Sequence, residues 1–406
     1  MKIAFYLILL VFLPLLFLGF PVKAGSDSLP AGESPQLVVL FMLDGFRPDY
    51  LAMYDLPVIE SLVKMGVYYA EATGVFPSTT TTNQTSLVTG AYPARTGIPN
   101  NSKYDRKADR IVTGLRDVKV PVISEILKSA GHKTVVLAHF MLENKGEEVY
   151  LERGVAQFKT AIAQYRPQLL VYYEGDTDSY GHKYGPYSEE MEQKLIEIDT
   201  ELGEMLSYLE QLGLREQTTV IIASDHGMTL NTQPAAVPHL KELLAGSGFK
   251  IALNNAEITA ETDLVVIQSG SSFLYFREGR IDQRSYQSLL EELSGIPGLD
   301  LLTAREIEAL NADPKGLGDL VLVPRPGFSI LGGGGGGIHG RPEEAQITLI
   351  MAGAGIKEGL VKSEAEIIDI TPTILELLGI EIPASVQGRV LKGALKEKPI
   401  EWDSYF

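Results

Sequence analysis

The sequence predicts an α/β fold: a mainly parallel central sheet with helices on both faces, interrupted by a small inserted α+β subdomain. Continuous apolar runs of strand length recur at 37–43, 134–138, 169–173, 218–223 and 347–351, as strands buried on both faces require. Helical patterns lie between them. The clearest spans 188–212, where Met191, Leu195, Ile198, Leu202 and Leu206 recur at steps of three and four. Strands that alternate with helices imply parallel pairing with both faces covered. The alternation breaks from 232 to 337, where short strand patterns (263–268, 272–277) flank helical ones (283–293, 304–310).

Taken from the start of the chain, Lys2 precedes an apolar run over 3–22, and Val22-Lys23-Ala24 offers a cleavage site. Residues 1–24 are therefore expected to be a signal peptide. An uncleaved anchor is the rival, because the run approaches transmembrane length. Residues 25–35 read as a polar linker, and 36–231 with 338–395 as the catalytic unit around the insertion 232–337. A helix over 121–129 ends at Ala130-Gly131, a left-handed cap. The six glycines at 332–337 read either as a connector or as a mobile rim beside a site.

The composition narrows the function classes. Over 406 residues, 45% are hydrophobic and 21% charged, which is ordinary for a globular chain. The formal charge of −17 opposes docking on a nucleic-acid duplex or an anionic membrane, and no stable membrane partner is expected. An anionic substrate would need local positive charge, which metal ions supply. The absence of cysteine excludes a disulfide framework and a lipid-attachment cysteine. Two glycosylation triplets, at Asn83 and Asn100, fall inside the motifs below, where a glycan would block a site. With the leader, they suggest an exported protein of bacterial origin, located in the periplasm, at the surface or in the medium.

The polar residues that follow the apolar runs carry the chemistry. In open α/β sheets the carboxyl ends of strands gather ligands, so residues distant in sequence converge there. Asp44-Gly45 follows the first run; alone it would be a turn. Thr79 to Thr82 precede a helix, where a hydroxyl caps the helix or is placed for attack on a phosphoryl group. Asp178 and His182, four residues apart, suggest a metal loop, and Asp225-His226 closes the run 218–223. His339 follows the glycines. Three of the six histidines thus stand in these segments, while His132, His139 and His239 lack carboxylate company and read as ordinary core or surface residues. The donors divide into Asp178, His182 and His339, and into Asp44, Asp225, His226 and the Thr80 hydroxyl. Mixed nitrogen and oxygen donors in two such sets suit two Zn²⁺ ions.

These residues together resemble the alkaline phosphatase superfamily, and within it the nucleotide pyrophosphatase/phosphodiesterase branch. The stretches that carry the resemblance are Leu43-Asp44-Gly45-Phe46-Arg47, Phe76-Pro77-Ser78-Thr79-Thr80, Leu87-Val88-Thr89-Gly90, Asn100-Asn101, Asp178-Ser179-Tyr180-Gly181-His182-Lys183-Tyr184-Gly185-Pro186, Ser224-Asp225-His226-Gly227 and His339-Gly340. They run in family order from about residue 36 to about 390. The resemblance implies a hydrolase of phosphodiester or pyrophosphate bonds that works through a phosphothreonine at Thr80. It also implies the two zinc sets above and Asn101 as donor to a phosphoryl oxygen. The substrate would be a small phosphodiester or nucleotide.

Two positions depart from the family pattern. Thr81 stands where an aromatic residue often stacks a nucleobase, and Thr82 where a proline is common; Phe140 or Tyr180 could offer a replacement face. The alternatives are a phosphomonoesterase or phosphonate hydrolase of the same superfamily, with Lys183 as the extra cation, or an inactive surface-binding homologue. The insertion is placed to cover the leaving group of a diester.

Overall fold

The computed structural model describes residues 36–231, 240–254, 256–330 and 335–397. The expected signal peptide, the linker, His239 and the first three glycines of the run lie outside the described residues. No helix among the described residues is long and apolar enough to cross a membrane.

The central sheet has eight strands in the spatial order Leu360–Glu366, Gly66–Thr73, Leu349–Gly353, Thr218–Ala223, Leu37–Leu43, Leu169–Glu174, Thr134–Leu137 and Val149–Leu151. Only Leu349–Gly353 runs against its neighbours. Alternate side chains of the central strand enter opposite cores. Val38, Leu40 and Met42 pack with Leu87, Ile123 and Ile374, while Val39, Phe41 and Leu43 pack with Leu62, Leu195 and Leu202. A strand buried on both faces therefore reads as one apolar run, each buried side chain contributing roughly 1.5–3 kcal/mol.

The expected elements form with small shifts at their ends. The long helix spans Glu189–Gln211, with the Ser188 hydroxyl accepting the Met191 amide at 3.2 Å. The strand expected at 347–351 begins two residues later. Thr348 and Ser224 instead bond each other, Ser224 N–H to the Thr348 carbonyl and Thr348 N–H to the Ser224 hydroxyl. Asp176–Tyr184 is a helix, not a loop. Its i, i+4 spacing puts Asp178 and His182 on one face.

A second sheet of five strands has the order Ile251–Leu253, Leu264–Gln268, Ser272–Phe276, Leu320–Pro324 and Leu299–Leu302. One face packs on Leu240, Leu289 and Leu293. The other carries Val265, Ile267, Phe273 and Tyr275 and meets Phe76 and Tyr104 of the first unit. This sheet thus packs against the segments that lead into Thr80 and out of Asn101.

Candidate active site

Three neighbouring parallel strands deliver the acidic residues. Asp44 follows Leu37–Leu43, Asp225 follows Thr218–Ala223, and Asp178 lies in the helix that follows Leu169–Glu174. Asp44 and Asp225 are buried, and burial of so many carboxyls is costly unless positive charge compensates it. Burial and the Asp225 and Asp178 carboxylates hold the Asp44 carboxyl well above its ordinary range. Burial also raises Asp178.

The histidines are oriented by backbone carbonyls. Nδ1 of His182 donates to the Gly337 carbonyl at 2.9 Å, Nδ1 of His226 to Gly227 at 2.9 Å and Nδ1 of His339 to Ser78 at 2.8 Å. Each Nε2 therefore faces the acidic residues, the arrangement that fixes a metal-ligating imidazole. Nε2 of His182 stands 3.3 Å and that of His339 3.5 Å from Asp178 Oδ1, and the two nitrogens are 3.2 Å apart. Nε2 of His226 lies 3.2 Å from Asp44 Oδ1.

The donor set fits divalent cations. Two imidazole lone pairs facing each other at this distance repel unless a cation or a proton lies between them. Asp178 Oδ1 is buried with no hydrogen-bond donor, and Asp44 Oδ1 has only His226 Nε2 within reach, a costly state that coordination would relieve. Two groups have ligand atoms mutually within 4.8 Å: Asp178, His182 and His339, and Asp44, Asp178 and His226. Asp178 therefore reaches both, which the division drawn from the sequence did not include. Asp225 stands at the edge of the second group, its Oδ2 3.7 Å from His226 Nε2. Its Oδ1 accepts the amides of Gly45 and His226 at 3.1 and 3.0 Å, and its Oδ2 accepts Gln84 Nε2 at 3.0 Å.

Protonation follows from the same crowding. Burial alone would depress His226, but the carboxylates of Asp225, Asp44 and Asp178 outweigh it and push the imidazole to about 10. Burial, with His226 and His182 as neighbours, drives His339 well below its ordinary value.

Thr80 is the first residue of the helix Thr80–Thr89, and its Oγ1 lies 3.2 Å from His226 Nε2. Of its neighbours, Thr79 and Thr82 are buried and bond each other at 3.0 Å, so their hydroxyls are already engaged. Asn83 holds the approach to the helix: its Oδ1 accepts the Val75 amide at 2.6 Å, and its Nδ2 donates to the carbonyls of Val75, Pro77 and Thr79. Asn101 lies beside Thr80. Its Oδ1 accepts the Thr81 amide at 2.8 Å, which orients the carboxamide and leaves Nδ2 as the donor. His182, with 45% of its side chain exposed, marks the open side of the pocket.

Other expectations change. Asn83 is 0% and Asn100 1% exposed, so both glycosylation triplets are internal packing elements and say nothing about origin. The ring of Phe140 is already covered, by the Arg116 guanidinium at 4.5 Å and by His139 stacked at 5.8 Å. Tyr180 packs under Lys194 at 5.1 Å and beside Tyr184 at 5.5 Å. Each ring thus already has a cation over it. The Lys183 ammonium lies over the Tyr184 ring at 4.6 Å. His139 is fully buried, outside both donor groups.

Where it is described, the glycine run stands beside the site, packed against the segment that carries His182. Gly336 has φ +72°, and a β-carbon there would strike the His182 carbonyl oxygen; Gly337 then accepts His182 Nδ1. Sequence reasoning missed three supports. Tyr173 donates its phenol to Asp44 Oδ2, Gln84 holds Asp225, and buried Arg341 pairs with Glu344 while its carbonyl accepts the Ser78 hydroxyl at 2.8 Å. Tyr173 sits inside an apolar strand run, where a tyrosine reads as packing. The Arg341–Glu344 pair lay directly after His339-Gly340, the one available signal.

A mainly parallel sheet that delivers carboxylates and imidazoles to one pocket at its carboxyl edge defines the class: an α/β protein with a centre built for cations. The chain belongs to the type I phosphodiesterase / nucleotide pyrophosphatase family, whose sequence profile matches residues 38–147 and 138–345. It is 33% identical over 245 residues to human bis(5'-adenosyl)-triphosphatase ENPP4, a match covering 54% of this chain and 53% of that protein. It is also 33% identical over 223 residues to human ectonucleotide pyrophosphatase/phosphodiesterase family member 1, covering 49% of this chain and 24% of that protein. The chain spans about half the length of the ENPP4 proteins it matches. Human ENPP5 superposes with a TM-score of 0.73 at 21% identity, over 89% of this chain and 100% of that one. An inactive murine ENPP5 variant in complex with AMP gives 0.70 at 21% identity, over 86% and 96%. These structures share the fold. The relatives named are from mammals and give no support to a bacterial origin.

Proposed function

We propose that this chain is a metal-dependent hydrolase of phosphodiester or pyrophosphate bonds, with Thr80 as nucleophile. The observation that carries the proposal is the position of Thr80 Oγ1, 3.2 Å from His226 Nε2 at a helix N-terminus, beside an orphaned carboxylate oxygen and converging imidazoles. Two divalent cations, proposed as Zn²⁺, would be held by Asp178, His182 and His339 and by Asp44, Asp225 and His226 with Thr80, with Asp178 also in reach of the second, and would lower the hydroxyl pKa and screen phosphoryl charge.

The residues of the chain define the remaining steps. Thr80 Oγ forms a bond to phosphorus as the bond to the leaving-group oxygen breaks, and water later cleaves the Oγ–P bond of the phosphothreonine. The helix N-terminus favours the anionic oxygens. Asn101 Nδ2, oriented by the Thr81 amide, donates to an oxygen opposite the cations. A diester brings one negative charge to the phosphoryl group and a monoester nearly two. The only cation sought for the second charge, Lys183, is engaged with Tyr184, which favours diesters. The catalytic unit is taken as 36–231 and 338–395 around the insertion, in an exported protein. "Ectonucleotide" in the name of one relative agrees with that location.

The test compares kcat/KM on zinc-reloaded protein for p-nitrophenyl phosphate, a thymidine nitrophenyl diester and diadenosine triphosphate, the last chosen from the ENPP4 name. A preference for the diesters is expected. Full activity after complete metal removal, or a clear preference for the monoester, overturns the proposal.

A further inference from the structure

Asn101 opens a hairpin, Ser102–Asp105 paired with Arg110–Thr113, that forms a two-stranded sheet by itself. Such a hairpin is marginal in water without a surface to pack on. Its tip, 105–110, is largely exposed. A donor mounted on it would hold its place poorly, and misplacement by 1 Å costs about 100-fold in rate.

The inserted sheet supplies the surface. Tyr104 is buried edge-on against Tyr275, with ring centres 5.9 Å apart. Arg106 crosses to the inserted sheet, pairing with Asp319 at 2.7 Å and donating to the Phe276 carbonyl at 2.6 Å. Arg277 reaches back from the insertion and grips Asp109 with two nitrogens, at 3.0 and 2.5 Å. Arg277 is itself held by the carbonyls of Thr259 and Thr262 at 2.8 and 2.9 Å. Tyr104 closes the clamp by donating to Asp109 Oδ1 at 2.5 Å.

We propose that the insertion is a mount for the phosphoryl-oxygen donor: Tyr104, Arg106 and Arg277 clamp the 102–113 hairpin to the second sheet and so position Asn101 against the Thr81 amide. These three are positioning residues. The proposal rests on the reading of Asn101 given above, and it assigns the insertion a task other than covering the leaving group.

Single surface ion pairs are weak, so the test removes both arginine contacts in an Arg106→Ala/Arg277→Ala variant. Its kcat on the nitrophenyl diester should fall about tenfold with metal content unchanged. Asn101→Ala alone should cost about 100-fold or more. In that background the arginine changes should cost nothing further, because the clamp acts through Asn101. Independent, multiplicative losses would overturn the proposal. A second readout needs no turnover: hydrogen exchange at the Thr81 amide should quicken in the arginine variant while the strand Leu37–Leu43 stays protected. Unchanged protection of Thr81 would also overturn it. If the unaltered protein cleaves no diester, the functional reading fails, and the exchange measurement still decides the role of the clamp. Tyr104→Phe, which keeps the ring on Tyr275 and loses the bond to Asp109, provides a folded check.

Discussion

Replacing Tyr173 by phenylalanine removes one hydroxyl from the candidate centre and leaves the ring in place. The ring stands edge-on to Phe140 at 5.5 Å and to His139 at 5.8 Å, contacts that phenylalanine keeps. The loss falls on Asp44 Oδ2, which accepts the phenol proton, while Oδ1 faces the metal group. A hydrogen bond to a buried charged group contributes about 1.5–3 kcal/mol. Removing an outer partner of a metal ligand lowers affinity about 10–100-fold, or roughly 1.4–2.7 kcal/mol. The two routes agree. Asp44 belongs to one donor group only, so Tyr173→Phe should weaken one ion by that factor and leave the other bound. Titration against a competing chelator, with bound metal counted at each step, resolves the two. An affinity within twofold of the parent protein, or equal weakening of both ions, would refute the reasoning.

Thr80→Ala should abolish nearly all turnover, by about 1000-fold or more, with metal content largely kept; if Thr79→Ala is the dead variant, the assignment of the nucleophile is wrong. His182→Ala should loosen one ion, whereas Asp178→Asn should loosen both, because Asp178 reaches both groups; metal analysis of the two variants separates these outcomes. Without metal, His226 holds a proton up to about pH 10, and a cation must displace it. Metal affinity should therefore rise with pH, measured by chelator competition. By the same sign, stability that the raised His226 gives the metal-free protein is full below its unfolded value of 6.5 and lost as pH rises through about 10. Thermal melts should show the advantage of the metal-loaded form widening over that window. Burial lowers His139 to about 3 from 6.5, so its contribution is present above 6.5 and lost as pH falls toward 3, on the order of 5 kcal/mol. His139→Phe leaves no unpartnered nitrogen and should flatten the acid limb of a denaturation series; an unchanged limb would contradict this.

The legible part of the fold is the part whose signal is local. Leu37–Leu43 and Thr218–Ala223 are buried on both faces, so each is one apolar run, and the aspartate or Asp-His pair just beyond marks the carboxyl edge. The edge strand Leu360–Glu366 escaped notice because Val361, Ser363 and Glu364 are exposed, so no continuous apolar run marks it. The reversed direction of Leu349–Gly353 is set by tertiary pairing, which no local pattern encodes. The helix carrying Asp178 and His182 passed for a loop because Gly181 and its polar neighbours hide the helical period. The site was readable as a set of donors and not as a geometry. Nothing in the spacing showed that Asp178 would serve two groups, that Asp225 would be engaged by Gln84, or that Tyr173 would reach Asp44.

The close packing of glycine against the imidazole-bearing segments bears on any library of random variants of this chain. Gly336 lies against the His182 carbonyl, and a β-carbon on Gly270 would come within 2.6 Å of the His339 carbonyl oxygen. Backbone atoms cannot step aside as a flexible side chain can, so every substitution at either glycine displaces an imidazole-bearing segment. In an activity screen both positions will rank with Thr80, although neither glycine touches the reacting group. A count of bound metal sorts them: dead Thr80 variants keep their ions, and dead variants at the two glycines lose them.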